Sequence, residues 1–260
     1  MRVAIFAAMV VAAVLLLLTS TATASDYHML PPVLPIYFEA DFVEYTAPYA
    51  PYPPYLNGVP PAPFWASRGK TYYDWTRKAM IEERQDFCVN IFPSNNSISN
   101  DFPCTFLDVN GTSYLISSGP KSPLPPCCIW GKPWYPAEPD FLRVNVTTKF
   151  AAREEWGCGE KADWWINPDI PPPMGPFYFT FRNNTSPQIY MSFSFPGVKG
   201  WVQQNFINVR AKQPDPKVWE IPAECRKEDV KLCYPADSDA AEQVVAPRSM
   251  GGLWQQRKRN

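Results

Sequence analysis

The chain contains a single histidine, His28, and that scarcity restricts its chemistry more than any residue that is present. Ser-His-Asp and Cys-His catalysis need a base held by a packed scaffold beside the nucleophile. His28 follows an apolar leader in what should be a loose N-terminus, so neither arrangement is expected, nor is a His-based zinc site. Paired carboxylates are the remaining catalytic option, since an acid and a base of that kind hydrolyse glycosides. Glu82-Glu83, Glu154-Glu155 and Asp163 beside Trp164-Trp165 are the candidates. Adjacent carboxylates are ordinarily surface charge and nothing here sets two environments apart, so the expectation is a protein without catalytic residues. Asp108-Val109-Asn110-Gly111 has the start of a calcium loop, but Tyr114 and Ile116 stand where further acids would be needed. No phosphate loop or GxGxxG stretch occurs, so neither a metal nor a cofactor is expected.

The cysteines point elsewhere. Seven are present: Cys88, Cys104, Cys127, Cys128, Cys158, Cys225 and Cys233. The chain opens MRVAIFAAMVVAAVLLLLTSTATAS, with Arg2, an apolar run to Leu18 and a small-x-small site at Ala22-Thr23-Ala24, which reads as a cleaved signal peptide over 1–24. Behind such a leader, cysteines read first as disulfides. An odd number leaves at least one free, capped or joined to another chain, and the spacing leaves the wiring open. The expected destination is secretion or an endomembrane lumen such as a vacuole or lysosome. Asn95, Asn110, Asn145, Asn183 and Asn184 each begin an N-x-[ST] triplet, and glycosylation is expected in this set, with Asn183 and Asn184 overlapping. No later segment is long and apolar enough to span a bilayer. A net charge of -1 with mixed signs lacks the basic stripe of a nucleic-acid surface.

These residues must be positioned by short strands. Residues 25–66 form a Pro- and Tyr-rich arm in which only IYFEADFVEY, Ile36 to Tyr45, is free of proline and fit for a first strand. Over 67–225 a single β domain is expected. KTYYDWTRKAMIEER is ambiguous between helix and strand, although Tyr72, Tyr73 and Trp75 favour strand at its start. DFCVNIF alternates through Phe87, Val89 and Ile91. Asn110-Gly111 is a strong hairpin signal that would put Leu107, Val109, Thr112, Tyr114 and Ile116 on one face. Leu142, Val144 and Val146 alternate as a strand that could end in a short helix near Ala151. GWVQQNFINVRAK is apolar at Val202, Phe206, Ile207 and Val209. Residues 226–260 lack periodicity and are expected to be a disordered tail. The fold class expected is mainly β.

One ribbon stands out. In FYFTFRNNTSPQIYMSFSF, Phe177, Phe179 and Phe181 share a face, with Ile189, Met191, Phe193 and Phe195 opposite across the loop, and Trp201 follows. Burying seven such side chains is worth roughly 10–20 kcal/mol gross, so this face meets either protein or an apolar ligand. The ligand-binding candidates are therefore Phe177, Phe179, Phe181, Met191, Phe193, Phe195 and Trp201. The rival reading is an adhesion or structural glycoprotein whose aromatic faces only fill its core.

The run YFEADF, GKTYYDW, DFCVNIF, CTFLDVNGTSYLI, the Cys127-Cys128 pair and PDPKVWEIPAEC resembles the ependymin-related secreted glycoproteins, over about Ile36 to Cys225. That family shares the fold of LolA/LolB-type lipoprotein carriers. The resemblance implies a strongly curved antiparallel sheet, a half-open barrel with one or two short helices around an apolar pocket for a lipid or other hydrophobic molecule. It also implies homodimers, and a framework that includes Cys88, Cys104, Cys128, Cys158 and Cys225. Together with Cys127, these are the six cysteines expected in disulfides. The family's calcium binding finds no site here to receive it.

Overall fold

A computed structural model of the chain describes residues 29–47, 66–88, 101–144, 147–157, 160–168, 176–183, 190–197 and 200–233. The chain divides into Met1–Leu30 and Pro31–Asn260, and nearly all described residues belong to the second unit. Among them are eleven strands: β1 (Tyr37–Ala47), β2 (Ala66–Asp74), β3 (Ala79–Arg84), β4 (Cys104–Val109), β5 (Thr112–Ser117), β6 (Cys127–Gly131), β7 (Lys149–Gly157), β8 (Glu160–Asn167), β9 (Phe177–Arg182), β10 (Tyr190–Gly197) and β11 (Gly200–Arg210). They form one antiparallel sheet in the order β6-β5-β4-β3-β2-β1-β11-β10-β9-β8-β7, which curves without closing into a barrel. Two meanders thus meet at the β1–β11 pair, and the chain crosses from edge strand β6 to edge strand β7 through residues 132–148.

Local chemistry explains the strands. Asn110 and Gly111 both take positive φ, 52° and 73°, and pair Val109 with Thr112 in a two-residue hairpin. The ambiguous KTYYDWTRKAMIEER resolves into two strands because Asp74 caps a turn. Its Oδ1 accepts from the Thr76 amide at 3.0 Å and the Thr76 hydroxyl at 2.5 Å, and Lys78 follows at φ 51°. Gly69 on β2 lies beneath Phe42 of β1, where a Cβ would collide with the phenyl ring and with the Glu83 carbonyl.

One sequence expectation is corrected. The run from Leu142 is not a strand followed by a helix; the order is reversed, with a one-turn α1 (Phe141–Val144) preceding β7. Phe141 and Leu142 are both buried although adjacent, which a strand with one covered face does not allow. On β11, Asn208 at φ 53° adds a residue opposite β1, so Phe206 and Val209, three positions apart, both reach the inner core while Ile207 faces outward.

The core lies on both faces. The inner face packs Phe38, Phe42, Tyr73, Phe179, Phe193 and Phe206 with Leu34, Ala137, Phe141 and Leu142. On the outer face Trp219, in the 3-10 turn Pro216–Trp219, covers Ala79, Ile81, Leu107 and Val109. No helix among the described residues is long and apolar enough to cross a membrane.

Candidate functional site

The aromatic candidates come together on the inner face of β9 and β10. Phe177, Phe179, Phe181 and Phe193 are at most 1 % exposed. Phe193 stacks on Phe177 at 5.4 Å and on Phe179 at 5.3 Å between ring centroids. Trp165 on β8 continues the wall through its pairing with Phe179. Met191, Phe195 and Trp201 lie on β10 and β11, but their side chains are outside the described residues.

What covers this wall is the crossover itself, a strap laid over the inner face. Phe141 meets Phe179 edge-on at 5.1 Å. The Tyr73 hydroxyl donates to the Ala137 carbonyl at 2.7 Å, the Leu34 amide to the Pro139 carbonyl at 2.8 Å, and the Trp134 amide to the Gly111 carbonyl at 2.9 Å. The strap is thus fixed by one turn of helix, a few apolar side chains and hydrogen bonds.

A polar cluster on the same face was not anticipated. Glu44 ends the inward series Phe38, Ala40, Phe42 on β1, and Glu82 and Arg84 take inward positions on β3. Arg84 Nη2 donates to Glu44 Oε2 at 3.1 Å and to Glu82 Oε2 at 3.5 Å, and Gln204 Nε2 donates to Glu82 Oε1 at 3.3 Å. The guanidinium lies over Phe42 at 5.7 Å and Phe106 at 5.2 Å. Burial pushes the Glu44 and Glu82 carboxyls up, and the nearby Arg84 charge only partly restores them. Asp108, on the inner face of β4, is pushed up to about 7 by burial, with the Ser113 and Trp134 side chains offsetting part of the effect. The available signal was charge placed in phase with apolar neighbours, as at Glu44.

The carboxylate candidates are dispersed. Glu82 is inward and buried, Glu83 is half-buried on the other face, Glu154 is exposed, and Asp163 accepts a two-pronged contact from Arg153 at 2.6 and 3.1 Å. Among the described residues no group of three or more His, Cys, Asp or Glu is arranged to hold a metal ion.

Three disulfides join Cys88 to Cys104, Cys127 to Cys225 and Cys128 to Cys233. Cys233, placed beyond the expected domain end at 225, is therefore part of the framework. Cys158 lies outside the described residues. Of the glycosylation candidates, Asn110 is exposed at the β4–β5 hairpin and Asn183 sits in the turn after β9. Asn95, Asn145 and Asn184 lie outside the described residues, as do the signal peptide, residues 48–65, Val89, Ile91 and the tail from 234.

No family model matches the chain, and no curated protein does. Its structural neighbours include an uncharacterized conserved protein from Thermus thermophilus, at 6% identity over 76% of this chain and 90% of that one, with a TM-score of 0.39. A LolA superfamily protein from Nitrosomonas europaea gives 6% identity over 73% and 92%, with a TM-score of 0.31. LprF from Mycobacterium bovis gives 12% identity over 69% and 90%, also at 0.31. All three are similarities of outline.

Proposed function

We propose that the protein is a secreted, glycosylated, non-enzymatic carrier that takes a lipid or other hydrophobic molecule onto the inner face of its curved sheet when the strap moves aside. The observation that carries this reading is the mismatch between wall and cover. Among the described residues, a stacked aromatic surface spanning β8 to β10 is closed by Ala137, Phe141 and Leu142, with no second sheet or long helix over it. Apolar ligands favour such walls. Three disulfides suit an oxidising compartment, and Asn110 offers an exposed glycan acceptor. Membership of the ependymin-related group is part of the proposal, resting on YYDW and P-x-x-W-x-I-P-x-x-C. In the fold these anchor the strap through Tyr73 and the outer face through Trp219. A homodimer is included because six of the seven cysteines are bonded within the chain.

Native mass spectrometry of protein purified from its own source should recover a stoichiometric apolar molecule, and the stripped protein should take up the neutral dye Nile red. Failure of both would sink the carrier reading. It would favour the alternative, an adhesion or structural glycoprotein, which the near-complete burial of Phe177, Phe179, Phe181 and Phe193 under the chain's own residues supports.

A further inference from the structure

The inner face is divided along a single line. Register partners run from Glu44 on β1 through Gln204, Phe193 and Phe179 to Trp165 on β8. At about 4.8 Å per strand step, this row covers about 19 Å from a carboxylate to an indole. It has the layout of an amphiphile, polar at one end and apolar along the rest.

The polar end holds buried donors that its own acceptors leave unsatisfied. Arg84 Nη2 serves both glutamates, whereas Arg84 Nε and Nη1 are buried and have no hydrogen-bond partner among the described residues. Such buried donors call for an acceptor. Three of the four carboxylate oxygens accept from the guanidinium or the Gln204 amide, and each keeps a lone pair for a further donor. They can take a further donor. An anionic headgroup would answer Arg84 but bring a third negative charge beside Glu44 and Glu82, where burial already disfavours two. A cationic headgroup would sit against the guanidinium and leave its N–H groups empty. A hydroxyl both accepts and donates, and adds no charge.

We propose that the inner face selects a neutral, hydroxyl-bearing amphiphile, with the hydroxyl between Arg84 and the Glu44 and Glu82 carboxylates and the chain along Phe193, Phe179 and Trp165. This inference rests on the carrier reading and names its ligand class.

The test compares ligands of one chain length, hexadecan-1-ol, 1-monopalmitoylglycerol, palmitate, hexadecylamine and hexadecane, as competitors of Nile red on the stripped full-length protein at neutral pH. The two hydroxyl ligands should compete at concentrations lower by at least about tenfold than palmitate or the amine, as expected for hydrogen bonds to buried charged partners. Glu82→Gln is isosteric and leaves one carboxylate to one guanidinium; it should bring palmitate within about threefold of hexadecan-1-ol, because the excess negative charge is gone. Palmitate binding as well as hexadecan-1-ol, or an unchanged ratio in Glu82→Gln, overturns the inference. All five binding equally, hexadecane included, overturns it while leaving the carrier reading intact. Failure of every ligand and of the dye itself overturns both.

Discussion

The two halves of the sheet are closed by different means. In the half from β2 to β6, bonds from both sides fasten the chain. Cys127 and Cys128 are consecutive on β6, so their side chains point to opposite faces; one holds Cys225 and the other Cys233. Trp219 seals the outer surface and Cys88–Cys104 the inner end. Across β8 to β10, the described inner face is closed by the strap through apolar contacts, while the strap's hydrogen bonds run to Tyr73, Leu34 and Gly111. Regions that must move belong to the less stable part of a structure. On the proposed carrier reading, the difference separates a half built to persist from a half that opens.

The comparison can be broken most forcefully at a bond. Cys128→Ala combined with Cys233→Ala opens a loop with a sequence separation of 105, and the chain-entropy account puts the cost near 5 kcal/mol. Hydrogen exchange should then accelerate in β4 to β6 more than in β9 and β10; equal acceleration would make the halves one cooperative unit. Phe179→Ala in the wall should cost about 3–5 kcal/mol by denaturant melts and speed exchange in residues 137–144 while β4 to β6 stay protected. The third test titrates Asp108. Because its carboxyl is raised from 3.8 to about 7, the folded chain keeps a proton that the unfolded chain releases. Its contribution to stability therefore falls as pH rises from about 4 to about 7 and is flat above, by up to about 4 kcal/mol in all. Glu44 and Glu82 act with the same sign. Asp108→Asn should flatten the slope of unfolding free energy over that window, and an unchanged slope would assign it to the two glutamates. The mildest change is Tyr73→Phe, which removes the hydroxyl bond to Ala137. A loss of about 1 kcal/mol is expected, with dye uptake faster than in the unaltered protein. Slower or equal uptake would argue that the strap is no gate.

Much of this was legible locally. Asn110-Gly111 specified its hairpin, and the alternation of Phe177, Phe179 and Phe181 specified an inward wall, since both signals lie within a few residues of the structure they make. Asn208 changes the period of β11, so Phe206 and Val209 share the inner face although three positions apart, a placement that plain alternation does not specify. The run from Leu142 reads as a strand in isolation because the strap's covering role depends on β9 and β2, which lie far along the chain. The polar cluster was the least visible part. Its hydrogen bonds join residues 40 and 122 positions apart, and each member alone resembles a misplaced surface charge.

The fastening at β6 has a further consequence. Between Cys225 and Cys233 the chain turns around the edge of the sheet; Ile129 donates its amide to Lys231 and accepts from Cys233, at 2.8 and 2.9 Å, filling hydrogen-bonding sites that an edge strand would otherwise present. Reduction of Cys127–Cys225 and Cys128–Cys233 is expected to free that segment and expose the β6 backbone to strand addition. The colloidal behaviour of this protein should then follow the redox state around it, with light scattering rising after reduction and staying flat while the disulfides persist.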